Sequence, residues 1–73
     1  MTVKTIVVEK FPIKLGQFLK LAEVTADGIE AKYLIAGSMV LVNNCVEQRR
    51  GRKLVAGDRV QVYDILLVCS DGR

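Results

Sequence analysis

Apolar and polar positions along this chain change their period twice. From Val3 to Val8 the residues are mostly β-branched, which predicts a strand. Phe11-Pro12 closes it, because proline has no N–H for a ladder and biases its predecessor toward extended backbone. Leu15, Phe18, Leu19 and Ala22 then fall at i, i+3, i+4 and i+7, one face of a helix predicted from Leu15 to Val24. Lys14, Gln17 and Lys20 occupy other parts of its surface. Thr25-Ala26 reads as a two-residue connector. Asp27 has the character of an N-cap, with Glu30 as the far half of a capping box. Ala31, Leu34 and Ile35 make the apolar stripe of a second helix that ends near Gly37.

After Ser38 the period falls from 3.6 to 2. Val40 and Val42 alternate in a strand from Met39 to Asn43, and Asn43-Asn44 suits a hairpin turn because asparagine tolerates positive φ. A second arm is expected from Cys45 to Arg49, interrupted at Arg50-Gly51 and resumed by Lys53-Leu54-Val55. Ala56-Gly57-Asp58 is a turn before a strand from Arg59 to Tyr63. Ile65 to Cys69 forms a last strand, buried on both faces or paired with the N-terminal one, and 70–73 reads as a flexible tail. The order β-αα-ββ(β)-β is that of an α+β domain: a helical pair on a small antiparallel sheet, with the N- and C-terminal strands added.

Length fixes the scale of this picture. The chain's 73 residues make one domain, 1–73, and 51% of them are hydrophobic, which suffices for a modest core and excludes low-complexity disorder. The longest apolar runs fall far short of the roughly 20 residues of a spanning helix, and no signal-peptide pattern opens the chain, so a cytoplasmic protein with no membrane partner is expected. Cys45 and Cys69 belong to no CxxC pair and are expected to be reduced, small, buried or half-buried thiols. With no histidine and only two thiols, neither a metal nor another cofactor is expected, and no small-molecule substrate. No Ser/His or Cys/His set and no phosphate loop of Walker type is present, so no enzymatic activity is expected.

Charge is where the sequence becomes specific. Between Cys45 and Arg59 lie five basic residues against two acidic ones, and this segment holds the chain's whole net charge of +3. Arg49, Arg50, Arg52 and Lys53 surround Gly51, where the backbone can approach a ligand closely. Arginine's planar fork matches phosphate oxygens, so such a cluster points to a polyanion. Phe18 and Phe11 are expected to pack, as are Tyr33 and Tyr63. That leaves no platform for stacking unpaired bases, and favours folded RNA read through shape and backbone.

The residues also carry a resemblance. Lys14-Leu15-Gly16-Gln17-Phe18-Leu19, Glu30-Ala31-Lys32-Tyr33-Leu34-Ile35, Val40-Leu41-Val42-Asn43-Asn44, Arg49-Arg50-Gly51-Arg52-Lys53-Leu54 and Gly57-Asp58-Arg59-Val60 follow one another in order. This succession resembles the RNA-binding domain named after small-subunit ribosomal protein S-four, in its stand-alone bacterial form, from Ile13 to Tyr63. The resemblance implies a helical pair on an antiparallel sheet and structured RNA, ribosomal or transfer RNA, as partner, with the ribosome itself as a possible host. The family's catalytic members join this domain to a separate enzymatic one. Three positions depart from its habit. Lys14-Leu15-Gly16 stands where Arg-Leu-Asp is common, Asp27-Gly28 where Ser-Arg is common, and the glycine before the hairpin comes one place early, at Gly37 instead of Ser38, with Asn44 where glycine is commonest.

The expected RNA-binding set is Lys14, Gln17, Lys20, Lys32, Arg49, Arg50, Arg52 and Lys53. It requires these side chains to converge on one surface without being neutralised by acids. The competing reading is a protein-interaction adaptor that docks through an exposed sheet edge or the strand Ile65 to Cys69.

Overall fold

The computed structural model describes residues 1–72. Seven strands and two helices follow in the order β1 (Thr2–Val7), β2 (Ile13–Lys14), α1 (Leu15–Leu21), α2 (Gly28–Ala36), β3 (Val40–Val42), β4 (Cys45–Val46), β5 (Lys53–Leu54), β6 (Arg59–Val62) and β7 (Ile65–Ser70). The large sheet has the order β1-β7-β6-β3-β4, antiparallel except that β1 joins β7 in parallel, and β2 and β5 form a separate antiparallel pair. This is the α+β architecture expected, with a mixed sheet where the terminal strands meet.

Alternation along the strands builds the core. Val40 faces Val62 and Val42 faces Val60, while Val60 in turn faces Leu67, so one column of buried side chains crosses three strands. Leu15, Phe18 and Leu19 of α1 and Ala31 and Ile35 of α2 close over it. Each of these valine, leucine, isoleucine and phenylalanine side chains contributes about 1.5–3 kcal/mol by leaving water.

Helix α2 ends near Gly37 as expected, whereas α1 ends sooner than the periodicity alone suggests. Helix α1 stops at Leu21, not Val24: Val24 N–H donates to the Leu19 carbonyl (3.0 Å) and Glu23 N–H to that of Lys20 (3.0 Å), with Glu23 at φ 61°. That is a Schellman ending with glutamate in the left-handed position. The connection to α2 therefore runs over 22–27 and is not the two-residue link expected. Helix α2 ends the same way, with Met39 N–H on the Leu34 carbonyl, Ser38 N–H on that of Ile35, and Ser38 at φ 62°. Gly37, at φ −82°, does not take the left-handed role. At the start of α2, Asp27 Oδ1 accepts from Glu30 N–H (2.9 Å) and Glu30 Oε2 from Ala26 N–H (3.3 Å), close to the capping box read from the sequence.

Asn43 (φ 51°) and Asn44 (φ 70°) turn the β3–β4 hairpin as expected, but β4 is only two residues long. Lys53-Leu54 does not resume it; these residues cross to pair with Ile13-Lys14. Strand β6 stops at Val62, and Tyr63 (φ 54°) belongs to the following turn. Ser70 is in β7, opposite Val7, so the tail begins later than expected; Arg73 lies outside the described residues. Strand β7 sits between β1 and β6, which removes Ile65–Cys69 as a docking edge; the sheet's end strands are β1 and β4.

Both cysteines are free. Cys69 is buried, and burial together with nearby Asp58 pushes its thiol up to about 11. Cys45 is exposed, contrary to the expectation of two covered thiols: it faces solvent at the tip of the short hairpin. Among the described residues no helix is long and apolar enough to cross a membrane, and no group of three or more His, Cys, Asp or Glu is placed to hold a metal ion.

Candidate nucleic-acid interface

Helix α1 starts with four N–H groups that have no partner inside the helix. Two of them are taken by the arginine segment: Leu15 N–H donates to the Arg52 carbonyl (2.8 Å) and Gly16 N–H to the Arg50 carbonyl (3.1 Å). The β2–β5 pair continues this clamp, with Ile13 opposite the buried Leu54 and Lys14 opposite Lys53. Two stretches that lie far apart in sequence are thereby fastened backbone to backbone.

The fastening gathers charge. Lys14, Gln17 and Lys20 from the α1 side, Arg50 and Gly51 from the turn, and Gly16 and Gly28 as floor and rim line one open concavity of about 290 Å³. Arg49, Arg52 and Lys53 line an adjoining depression that shares Gly51. Gly16 has a direct part in this. A Cβ there would lie 2.8 Å from Arg50 Cγ, so its absence lets the arginine stem cross the first turn of the helix. Glycine at this place thus makes room for a cation.

Lys14 and Lys53 face each other directly across β2 and β5, and like charges so placed repel. A bound anion between them would relieve that cost. Lys32 is exposed on α2, one helical turn beyond Gly28, and lines neither depression. It is the member of the expected set that the fold leaves apart.

Glu47 is the residue whose role the sequence reading missed. Its side chain is 8% exposed. Oε2 accepts from Arg49 Nε (3.0 Å) and Arg49 N–H (3.2 Å), and Oε1 from Arg49 Nη2 (3.1 Å) and Arg52 Nη1 (2.9 Å). The hydrogen bonds from Arg49 and then Arg52 hold its carboxyl down at about 2, against the opposing effect of burial. Arg49 keeps 75% of its side chain in solvent despite this fork, whereas Arg52 is two-thirds covered. The pairing neutralises one charge and fixes the direction of two guanidinium groups. A spacing of two and five residues from an acid to two arginines is the signal that was available.

Tyr33 and Tyr63 do not pack as expected: they are 71% and 57% exposed. Tyr33 lies on the outward stripe of α2 with Ile29, and Tyr63 in a turn.

The sequence profile of the S4 domain matches residues 6–68, nearly the whole chain. The chain belongs to the S4 domain family. It is also similar to a Bacillus subtilis (strain 168) protein described as a probable ribosome maturation protein, RlbA, with 52% identity over 50 residues that span 68% of this chain and 70% of that protein. The profile extends beyond Ile13–Tyr63, reaching the last two residues of β1 and the first four of β7.

Proposed function

We propose that this S4 domain binds structured RNA of the ribosome or its precursors during ribosome maturation, holding the phosphate backbone in the depressions around Gly51. The observation that carries this reading is the clamp between the start of α1 and the arginine turn, which supports a single surface lined by Lys14, Lys20, Arg50 and Lys53 with Gln17 between them. Arg49, oriented by Glu47, extends that surface outward, and Arg52 serves it more by holding the turn than by reaching RNA. The depressions are open and basic, which suits backbone and shape recognition better than enclosure of a single base. Lys32 is a peripheral contact.

Phosphate neutralisation releases counterions, so affinity for a ribosomal RNA fragment should fall steeply with salt. For about four phosphate contacts the slope of log K against log salt is roughly −3, and removing one contact reduces it by about 0.7–0.9. Lys14→Ala and Arg50→Ala should each weaken binding and flatten the slope, while Lys4→Ala on β1 should leave both unchanged. Equal slopes for all three variants in a filter-binding or anisotropy titration would remove this surface from consideration.

A further inference from the structure

Strand β1 has a strand neighbour on one side only among the described residues. Its backbone polarity is settled by two bonds: Thr2 N–H donates to the Asp64 carbonyl (3.0 Å) and Val8 N–H to the Ser70 carbonyl (2.8 Å). Even-numbered residues therefore face β7, and the alternation of a strand turns the N–H and C=O of Val3, Thr5 and Val7 toward the open side. The same three side chains share the sheet face opposite the helices, since Ile6 packs against the core. Val3 and Val7 are 62% and 57% exposed. Gly72 lies beside the Val7 side chain, but a six-residue edge with two largely exposed valines, one lysine and no proline still lacks most of the devices that keep sheet edges apart.

We infer that β1 is a self-association surface, on which a second copy of this chain adds its own β1 antiparallel about a twofold axis through Thr5. This goes beyond RNA binding and does not rest on it.

Bonding parity and charge select the register. Hydrogen-bonded pairs must join outward-facing residues, so only odd-with-odd pairings are open. With Thr5 opposite Thr5, Val3 of each copy meets Val7 of the other, all three outward-facing residues are paired, and about six interchain hydrogen bonds form. Lys4 then faces Ile6 of the second copy. Sliding by two residues one way sets Lys4 against Lys4, which repels; sliding the other way leaves about four bonds. The favoured register also gathers four valines into one cluster on the outer face of a continuous ten-stranded sheet. Such a strand pair buries less than the roughly 1,200 Å² at which stable complexes begin, so the dimer is weak and concentration-dependent.

Sedimentation of the RNA-free full chain across a concentration series up to about 1 mM should show the weight-average mass rising toward twofold. Thr5→Lys and Val3→Lys, both at exposed positions, should remain monomeric over the same range. Register is tested in a Cys45→Ser background, which removes the exposed thiol. Thr5→Cys should give a disulfide-linked dimer on mild oxidation, because opposed Cα atoms in a bonded pair lie about 5.5 Å apart. Lys4→Cys should give at least tenfold less. A wild-type chain that stays monomeric throughout, a dimer indifferent to both lysine substitutions, or preferential crosslinking of Lys4→Cys would each overturn the inference.

Discussion

Glu47 shows how one carboxylate shapes a basic surface. Its pairing with Arg49 and Arg52 holds its carboxyl at about 2, below the ordinary 4.5. A depressed folded-state value means that the stabilisation is fully present above about 4.5 and is lost as pH falls toward 2. Denaturant melts of the wild type should therefore weaken across that window, and Glu47→Gln should show a flatter profile there. At neutral pH Glu47→Ala should cost about 1–3 kcal/mol, because it strips charged donors of their shared acceptor. Gly16 acts in the opposite sense, through absence. A Cβ at 2.8 Å from Arg50 Cγ forces the arginine stem to move, while alanine in place of glycine favours a helix by up to about 1 kcal/mol. Gly16→Ala should thus leave the melting temperature within a few degrees of wild type, yet lower RNA affinity roughly 3- to 10-fold, or about 1 kcal/mol. An affinity loss matched by a large loss of stability would point instead to a damaged fold.

At the scale of elements, what the sequence reveals and what it hides have the same physical origin. The apolar period marks Leu15, Phe18 and Leu19, and the alternation of Val40/Val42 and Val60/Val62, because burial has a geometry that repeats. Helix ends have no period. Here they are set by single left-handed residues, Glu23 and Ser38, which are not the glycine that usually advertises such a stop. Gly37, one residue early, draws attention to the wrong place. The β2–β5 pair is illegible for another reason: two residues are too few to show alternation, and their partners lie forty positions away. Glycine should relieve the two left-handed sites. Glu23→Gly and Ser38→Gly are each expected to add about 0.5–1 kcal/mol, a rise in melting temperature of a few degrees for a domain of this size, measurable by calorimetry.

For the molecule as a whole, the concentration of arginine and lysine around Gly51 was plain in the sequence. Its completion was not. That Lys14, Gln17 and Lys20 share a depression with Arg50, while Lys32 stands outside, depends on which backbone carbonyls cap α1. Burial of Glu47 depends on a fork that charge counting cannot see, and the exposure of Tyr33 and Tyr63 on which sides of α2 and the β6–β7 turn happen to be left uncovered.

The clamp at the head of α1 has one further implication. Its two halves are brought together only when the intervening helices and hairpin have found their places, since Leu15 and Arg52 are held by a bond that closes nearly half the chain into a loop. In the unfolded chain the same cations are strung out on separate segments with no common geometry. On the function proposed above, grip and fold are therefore acquired in a single step, and a misassembled copy would have little with which to compete for RNA.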